Sequence, residues 1–154
     1  DDAVEIIAIN KKGKITVFNK NGVLKDFTVD LSAPVKNPGI IFKSGGSIFI
    51  GVLLTDGRIA IISSKGEVSK ILESSGPPSS TTALSLYKLR GHYIFVYAGN
   101  DKRVRFTPGK KIKFQLPTMY GSENVEIKDM DNDGYKELLT SGYDRKVYLY
   151  RIFK

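Results

Sequence analysis

Four stretches of the chain share one pattern of a tight turn and alternating apolar residues: KKGKITVFNKNGVLKDF at 11–27, TDGRIAIISSKGEVSKIL at 55–72, NDKRVRFTPGKKIKFQL at 100–116 and YDRKVYLYRIFK at 143–154. The first apolar residue after each turn recurs at steps of 44, 45 and 43 residues, at Ile15, Ile59, Val104 and Val147. Alternation bounded by Gly, Asn, Asp and Pro is typical of β-strands. The near-constant period indicates that one structural unit is repeated.

The repeat predicts an all-β fold of the β-propeller type. Sustained apolar spacing at i, i+3, i+4 and i+7 does not occur, so helices are not expected. A period near 44 residues accommodates four short strands and their turns, which make up one propeller blade. Longer, mostly Pro-rich segments separate the repeats and form the crossovers between blades, at 31–39, 73–81 and 117–122. We predict one propeller segment with about four blades of four-stranded antiparallel sheet, at about 1–33, 34–76, 77–118 and 119–154.

The same phase predicts the strands of each blade. Two blades are complete, with strands near 39–43, 47–54, 58–63 and 67–72, and near 82–88, 92–98, 103–107 and 111–116. The first and last blades have three strands each, near 3–9, 14–19 and 23–29, and near 123–129, 136–141 and 146–152. Incomplete blades have unpaired edges, so we expect a protein partner, a second copy or the rest of a longer polypeptide to complete the propeller. An open meander or β-sandwich of repeated hairpins is the alternative fold.

Length and composition narrow the class of protein. A chain of 154 residues with 41% hydrophobic and 26% charged residues is typical of a soluble globular domain. No stretch approaches the roughly 20 apolar residues of a membrane-spanning helix, and the absence of cysteine excludes disulfides and thiolate sites. The net charge of +8 favours an anionic neighbour or simply maintains solubility. The compartment stays open, because a secreted protein without its signal peptide has the same appearance.

The most specific motif is the acidic segment DMDNDGYKE at 129–137. Carboxylates at its positions 1, 3, 5 and 9, with Gly134 permitting a sharp turn, form a set of hard oxygen ligands suited to Ca²⁺. The predicted ligands are the side chains of Asp129, Asp131, Asp133 and Glu137 and the carbonyl of Tyr135. An EF-hand is excluded, because position 12 is Thr140 and the flanking segments are predicted strands. The alternative is a network of Asx-turns, in which the Asp side chains accept hydrogen bonds from backbone N–H groups without a metal.

This segment resembles the FG-GAP repeat of integrin-α-like propellers, in which D-x-D-x-D-G-x-x-D lies between the first and second strands of a blade. The resemblance covers the motif and its location in one blade, and it implies a Ca²⁺-binding loop there. The sequence departs from the FG-GAP pattern at two points, which limit the resemblance. Glu137 replaces the final Asp, and the equivalent loops of the second and third blades are SGG and LRG, without carboxylates. At most one cation site is therefore expected, in the last repeat.

Basic residues cluster in the third repeat and define a basic stripe: Lys102, Arg103, Arg105, Lys110, Lys111 and Lys113. Alternation places Arg103 and Arg105 on one face of a strand, with Val104 and Phe106 on the other. A stripe of one sign is suited to contact phosphates or an acidic glycan. The alternative is a solvated outer edge, where Lys and Arg prevent unwanted strand pairing.

We predict a non-catalytic protein-interaction or scaffold module with one Ca²⁺-braced loop. Binding of an anionic polymer, such as nucleic acid, through the basic stripe is the alternative function. An enzyme is not expected, because His92 has no Ser or Asp spacing suggestive of a triad and no second acid pair accompanies the acidic loop. The aromatic residues at strand spacing are assigned to packing between blades.

Overall fold

The computed structural model describes residues 6–19, 21–73, 76–89, 91–107, 114–115, 122–142 and 144–153. Within these ranges the chain forms 14 β-strands and no helix, so the all-β prediction is confirmed. The strands form four antiparallel sheets. They belong to two compact units, Asp1–Leu72 and Glu73–Lys154. No helix in the described part is long and apolar enough to cross a bilayer.

The first unit contains a three-stranded and a four-stranded sheet. The three-stranded sheet has the order β1 (Ile6–Ile9), β2 (Lys14–Asn19) and β3 (Gly22–Thr28). The four-stranded sheet has the order β4 (Ile40–Ser44), β5 (Ser47–Leu53), β6 (Ile59–Ser63) and β7 (Val68–Leu72). Alternation turns one face of each sheet into a common core, built from Ile15, Val29, Val35, Ile50, Val52, Leu54, Ala60 and Ile62.

The second unit repeats this arrangement. One sheet has the order β8 (Ser85–Leu89), β9 (His92–Ala98), β10 (Arg103–Thr107) and β11 (Phe114–Gln115). The other has the order β12 (Ser122–Lys128), β13 (Lys136–Gly142) and β14 (Val147–Phe153). The core between these two sheets consists of Val96, Ala98, Val104, Phe106, Val125, Ile127 and Leu138.

The sequence period is visible in the backbone hydrogen bonds. One bond recurs in all four sheets, from the amides of Asn10, Leu54, Gly99 and Gly142 to the carbonyls of Lys14, Arg58, Arg103 and Lys146. These positions are 44, 45 and 43 residues apart, the same steps as in the sequence. The repeated turn chemistry therefore builds the same hairpin four times.

The first two predicted crossovers pack over these hairpins, and the third, at 117–122, lies outside the described residues except for Ser122. Isolated bridges join Val35 to Leu54 in the first unit and Pro78 to Gly99 in the second. The second crossover extends further than predicted, since β8 begins at Ser85 and not at 82. The Thr82 hydroxyl accepts a hydrogen bond from the amide of Ala98 at 2.8 Å, so this stretch caps β9 instead of pairing as a strand.

The first and last sheets have three strands each in the described part of the chain, as predicted. The predicted strand positions at 3–5, 111–113 and 116 lie outside the described residues. Large apolar side chains are exposed on the two edge strands of these sheets. Ile6 of β1 is 65% exposed, and Val147 and Leu149 of β14 are 69% and 56% exposed.

Candidate metal centre

The acidic loop joins β12 to β13, which are the first and second strands of their sheet, as predicted. Lys128 pairs with Glu137 at the mouth of the loop. Between them the backbone turns sharply, with φ of 59° at Asn132 and 85° at Gly134. Asn and Gly are the residues that tolerate this left-handed conformation best, so the sequence NDG closes the loop at low cost.

Each of the four acidic side chains uses one oxygen to hold the loop backbone. The donors are amides inside the loop, at 2.9–3.3 Å: Gly134 to Asp129 Oδ2, Asp133 to Asp131 Oδ1, Tyr135 to Asp133 Oδ1 and Met130 to Glu137 Oε2. This is the network of side-chain caps that the alternative interpretation predicted. It occupies only one oxygen of each carboxylate, so the backbone of the loop does not use the second oxygens.

Three of the carboxylates come together. Oxygen atoms of Asp129, Asp131 and Glu137 lie within 4.8 Å of one another. Two oxygens that bind one Ca²⁺ at about 2.3–2.6 Å are at most about 5 Å apart, so this group fits a calcium ion. Glu137 is only 5% exposed. Its Oε1 and the Oδ1 of Asp129 are buried and accept no hydrogen bond from the described residues. Buried carboxylate oxygens are costly without a compensating charge, which a cation would supply.

Asp133, another predicted ligand, lies outside this group of carboxylates. The carbonyl of Tyr135, the remaining predicted ligand, stays a prediction. The guanidinium Nη2 of Arg151 donates to Asp133 Oδ2 at 2.6 Å. The same guanidinium lies over the Tyr135 ring, 4.9 Å from its centroid. Both side chains therefore contact a cation of the protein itself. An ion pair as exposed as this one contributes about 0–1 kcal/mol.

Arg151 was not among the site residues predicted from sequence. It also lies 3.8 Å from Asp131 Oδ2 and 3.8 Å from Glu137 Oε1. The tight turn after β13 is the sequence feature that could have identified Arg151. The hydrogen bond between Gly142 and Lys146 sets the register of β13 and β14, and this register places Arg151 opposite Glu137. Residues directly opposite on antiparallel strands have neighbouring side chains.

Two hydrogen bonds to Asp144 stabilise the turn of the hairpin that positions Arg151. The Tyr148 hydroxyl donates a hydrogen bond to Asp144 Oδ2, and Asp144 Oδ1 accepts one from the amide of Lys146 at 3.2 Å. The hydrogen bond from Tyr148 lowers the pKa of Asp144, and the bond to the carboxylate raises the pKa of Tyr148 to about 12. Tyr148 also pairs with Thr140 between β13 and β14.

The basic stripe is not a continuous exposed surface. Arg105 is only 4% exposed, which corrects the expectation that it belongs to a solvated edge. Its Nη2 donates to Asp101 at 2.6 Å, and the absence of side chains at Gly76 and Gly99 makes room for the guanidinium. Arg103 is half-exposed and lies 3.8 Å from the same Asp101 carboxylate. Of the remaining members, Lys110, Lys111 and Lys113 lie outside the described residues, and Lys102 lies in the turn before β10 with φ of 64°.

His92 is exposed at the start of β9, opposite Leu89. Among the described residues no carboxylate or hydroxyl is hydrogen-bonded to it. His92 therefore lies in a strand, next to the turn at Gly91.

The comparisons with known proteins bear on the fold. The sequence matches no protein-family model, and no curated protein matches it. Among solved structures, 15 chains match. One is the WD40 β-propeller domain of Doa1, with a TM-score of 0.68 and 16% sequence identity. The match covers 97% of this chain but 47% of that chain, so the protein spans about half the length of its structural neighbour. The similarity confirms the predicted β-propeller fold.

Proposed function

We propose that this chain is a non-catalytic protein-interaction module, in which each sheet is one blade of a propeller segment. The observation that carries the proposal is the exposed edge of β14. This strand pairs only with β13 in the described part of the chain, and Val147 and Leu149 point outward from it. Unpaired strand edges with apolar side chains bind further strands.

In the described part of the chain β1 likewise pairs with one strand, β2. Ile6 is exposed there, whereas Ile7 and Ile9 pack against the core of the first unit. The equivalent sheets with four strands show that this architecture accommodates one more strand. A protein partner or the rest of a longer polypeptide would supply it, and for the isolated chain we propose that a second copy takes its place. Sedimentation velocity tests this part of the proposal, since the isolated chain is expected to form assemblies heavier than the 17.1 kDa monomer.

We further propose that Ca²⁺ braces the loop 129–137, in the manner of an FG-GAP-like repeat. Three observations support this: the position between first and second strands, the convergence of Asp129, Asp131 and Glu137, and the buried oxygens of Asp129 and Glu137 that accept no hydrogen bond within the described residues. Asp129, Asp131 and Glu137 would hold the ion. Its two positive charges would offset the repulsion among the carboxylates and fix the loop that joins β12 to β13. This role is structural and requires no open coordination position for a substrate.

Thermal unfolding of the chelator-treated protein tests the calcium site. At a calcium concentration about 100 times the Kd, ligand linkage adds about 2.7 kcal/mol of stability, which for a domain of this size raises the Tm by about 5–10 °C. Asp131→Asn is expected to abolish most of this rise. Asp30→Asn, which removes an exposed carboxylate outside the loop, serves as the control and is expected to retain it. A parent protein whose Tm does not respond to calcium would refute the site.

A further inference from the structure

The guanidinium of Arg151 lies among the carboxylates of the loop. Its Nη2 is 2.6 Å from Asp133 Oδ2 and 3.8 Å from Asp131 Oδ2, and its Nε is 3.8 Å from Glu137 Oε1. Every ion pair that this loop makes within the described residues involves Arg151. One positive charge thus lies close to three negatively charged side chains.

The oxygens that face Arg151 are those that the loop backbone does not use. Asp131, Asp133 and Glu137 each accept a backbone amide with the other oxygen. Their remaining oxygens converge on a single cationic group. A bound Ca²⁺ would require the same convergence, because it is surrounded by oxygens from several side chains.

We propose that Arg151 is an internal cation that competes with Ca²⁺ for this loop and sets its affinity. The inference rests on the calcium site proposed above. Asp133 lies outside the three-carboxylate group while it is bonded to Arg151. When calcium binds, Asp133 leaves the guanidinium and becomes the fourth carboxylate around the ion. Calcium affinity depends on the number of charged ligands, so the strength of the Arg151–Asp133 contact determines the affinity of the site.

The exchange is physically feasible because the ion pair is exposed. The side chain of Arg151 is 56% exposed and that of Asp133 is 33% exposed. Exposed pairs are weak and are screened by salt, so a divalent ion in the loop is able to displace the guanidinium. The Tyr135 ring, 4.9 Å from the guanidinium carbon, offers Arg151 a contact that uses no carboxylate.

Isothermal titration of the chelator-treated full chain with calcium chloride tests the proposal. Arg151→Gln removes the competing charge and is expected to bind calcium roughly tenfold more tightly than the parent protein. Without calcium, the same variant is expected to melt at a lower temperature, because the carboxylates then repel one another without a cation. Arg151→Lys keeps the charge and is expected to bind calcium with nearly the parent affinity. Lys146→Gln removes a charge at the far end of β14 and controls for net charge.

The outcomes separate the two proposals. If the parent protein binds calcium and Arg151→Gln binds it equally or more weakly, the competition is refuted while the calcium site stands. If neither protein binds calcium, the site itself is refuted and the competition with it. If Arg151→Gln binds calcium and the parent protein does not, the competition is supported, because Arg151 then prevents binding in the parent protein. Should that variant not fold, the Nε–H resonance of Arg151 in the parent protein decides, since a resonance that calcium leaves unchanged contradicts displacement.

Discussion

At the scale of single residues, the hydrogen bond between Tyr148 and Asp144 makes the β13–β14 hairpin sensitive to pH. The pKa of Asp144 is lowered by the Tyr148 hydroxyl. Its contribution to stability is therefore present above the ordinary value of 3.8 and is lost as the pH falls through the folded-state pKa. The pKa of Tyr148 is raised to about 12, so its contribution is present below about 10 and is lost between about 10 and about 12.

Tyr148→Phe tests this bond. Without the hydroxyl donor, the pKa of Asp144 is expected to rise toward its ordinary value of 3.8. Carboxyl carbon shifts followed by NMR across the acid range measure this directly. A carboxyl whose titration is the same in both proteins would show that the hydroxyl does not stabilise the charged form.

Sequence reasoning at this scale identified the acidic side chains but not their neighbour Arg151. The spacing of Asp129, Asp131 and Glu137 is local, and local spacing determines which side chains a tight loop brings together. Arg151 is 14 residues further along the chain than Glu137, and it reaches the loop only through the register of β13 and β14. The burial of Arg105 could not be predicted from strand alternation, because it depends on Gly76, Gly99 and Asp101.

At the scale of elements, the turn between β6 and β7 is fitted to a neighbouring strand. A Cβ atom added to Gly66, whose φ is +85°, would lie 2.5 Å from Cδ2 of Phe27 in β3. Gly46, in the β4–β5 turn, has a similar φ of +82° but open space around it. The two glycines share one backbone requirement and differ in packing, which makes them a matched pair.

Alanine at these two positions separates backbone strain from packing. Gly46→Ala is expected to cost about 1 kcal/mol, from the left-handed conformation alone. Gly66→Ala is expected to cost a further 1–3 kcal/mol or so, because the Phe27 ring must shift. Urea unfolding of both variants measures the difference. If both variants lose the same free energy of unfolding, Phe27 moves aside freely and this contact does not join the two sheets.

Most strand positions could be predicted because both of their determinants are local. Alternation fixes which residues pair on one face, and the repeated Asn, Asp and Gly turns fix where each hairpin reverses. Thr82 was assigned to a strand because its side chain fits one, but its hydroxyl caps Ala98 from a crossover. That contact joins residues 16 positions apart, so the local alternation of apolar residues could not predict it.

At the scale of the whole molecule, two of the four sheets have only three strands each in the described part of the chain. Each of these sheets has an exposed apolar residue on an edge strand, Ile6 on β1 and Leu149 on β14. The net charge of +8 makes copies repel one another at low salt. An apolar edge contact is expected to persist as salt increases, whereas binding of an anionic polymer falls steeply.

Sedimentation velocity of the isolated chain at micromolar concentrations, in moderate salt, tests whether the exposed edges of β1 and β14 bind a second copy. We expect species heavier than the 17.1 kDa monomer, in proportions that increase with concentration. Leu149→Asp is expected to shift them toward monomer, because it places a charge on the exposed edge of β14. Ser80→Asp, at an exposed loop position, is the control and is expected to leave them unchanged. A compact, stable monomer of 17.1 kDa at every concentration would show that these edges do not bind further strands.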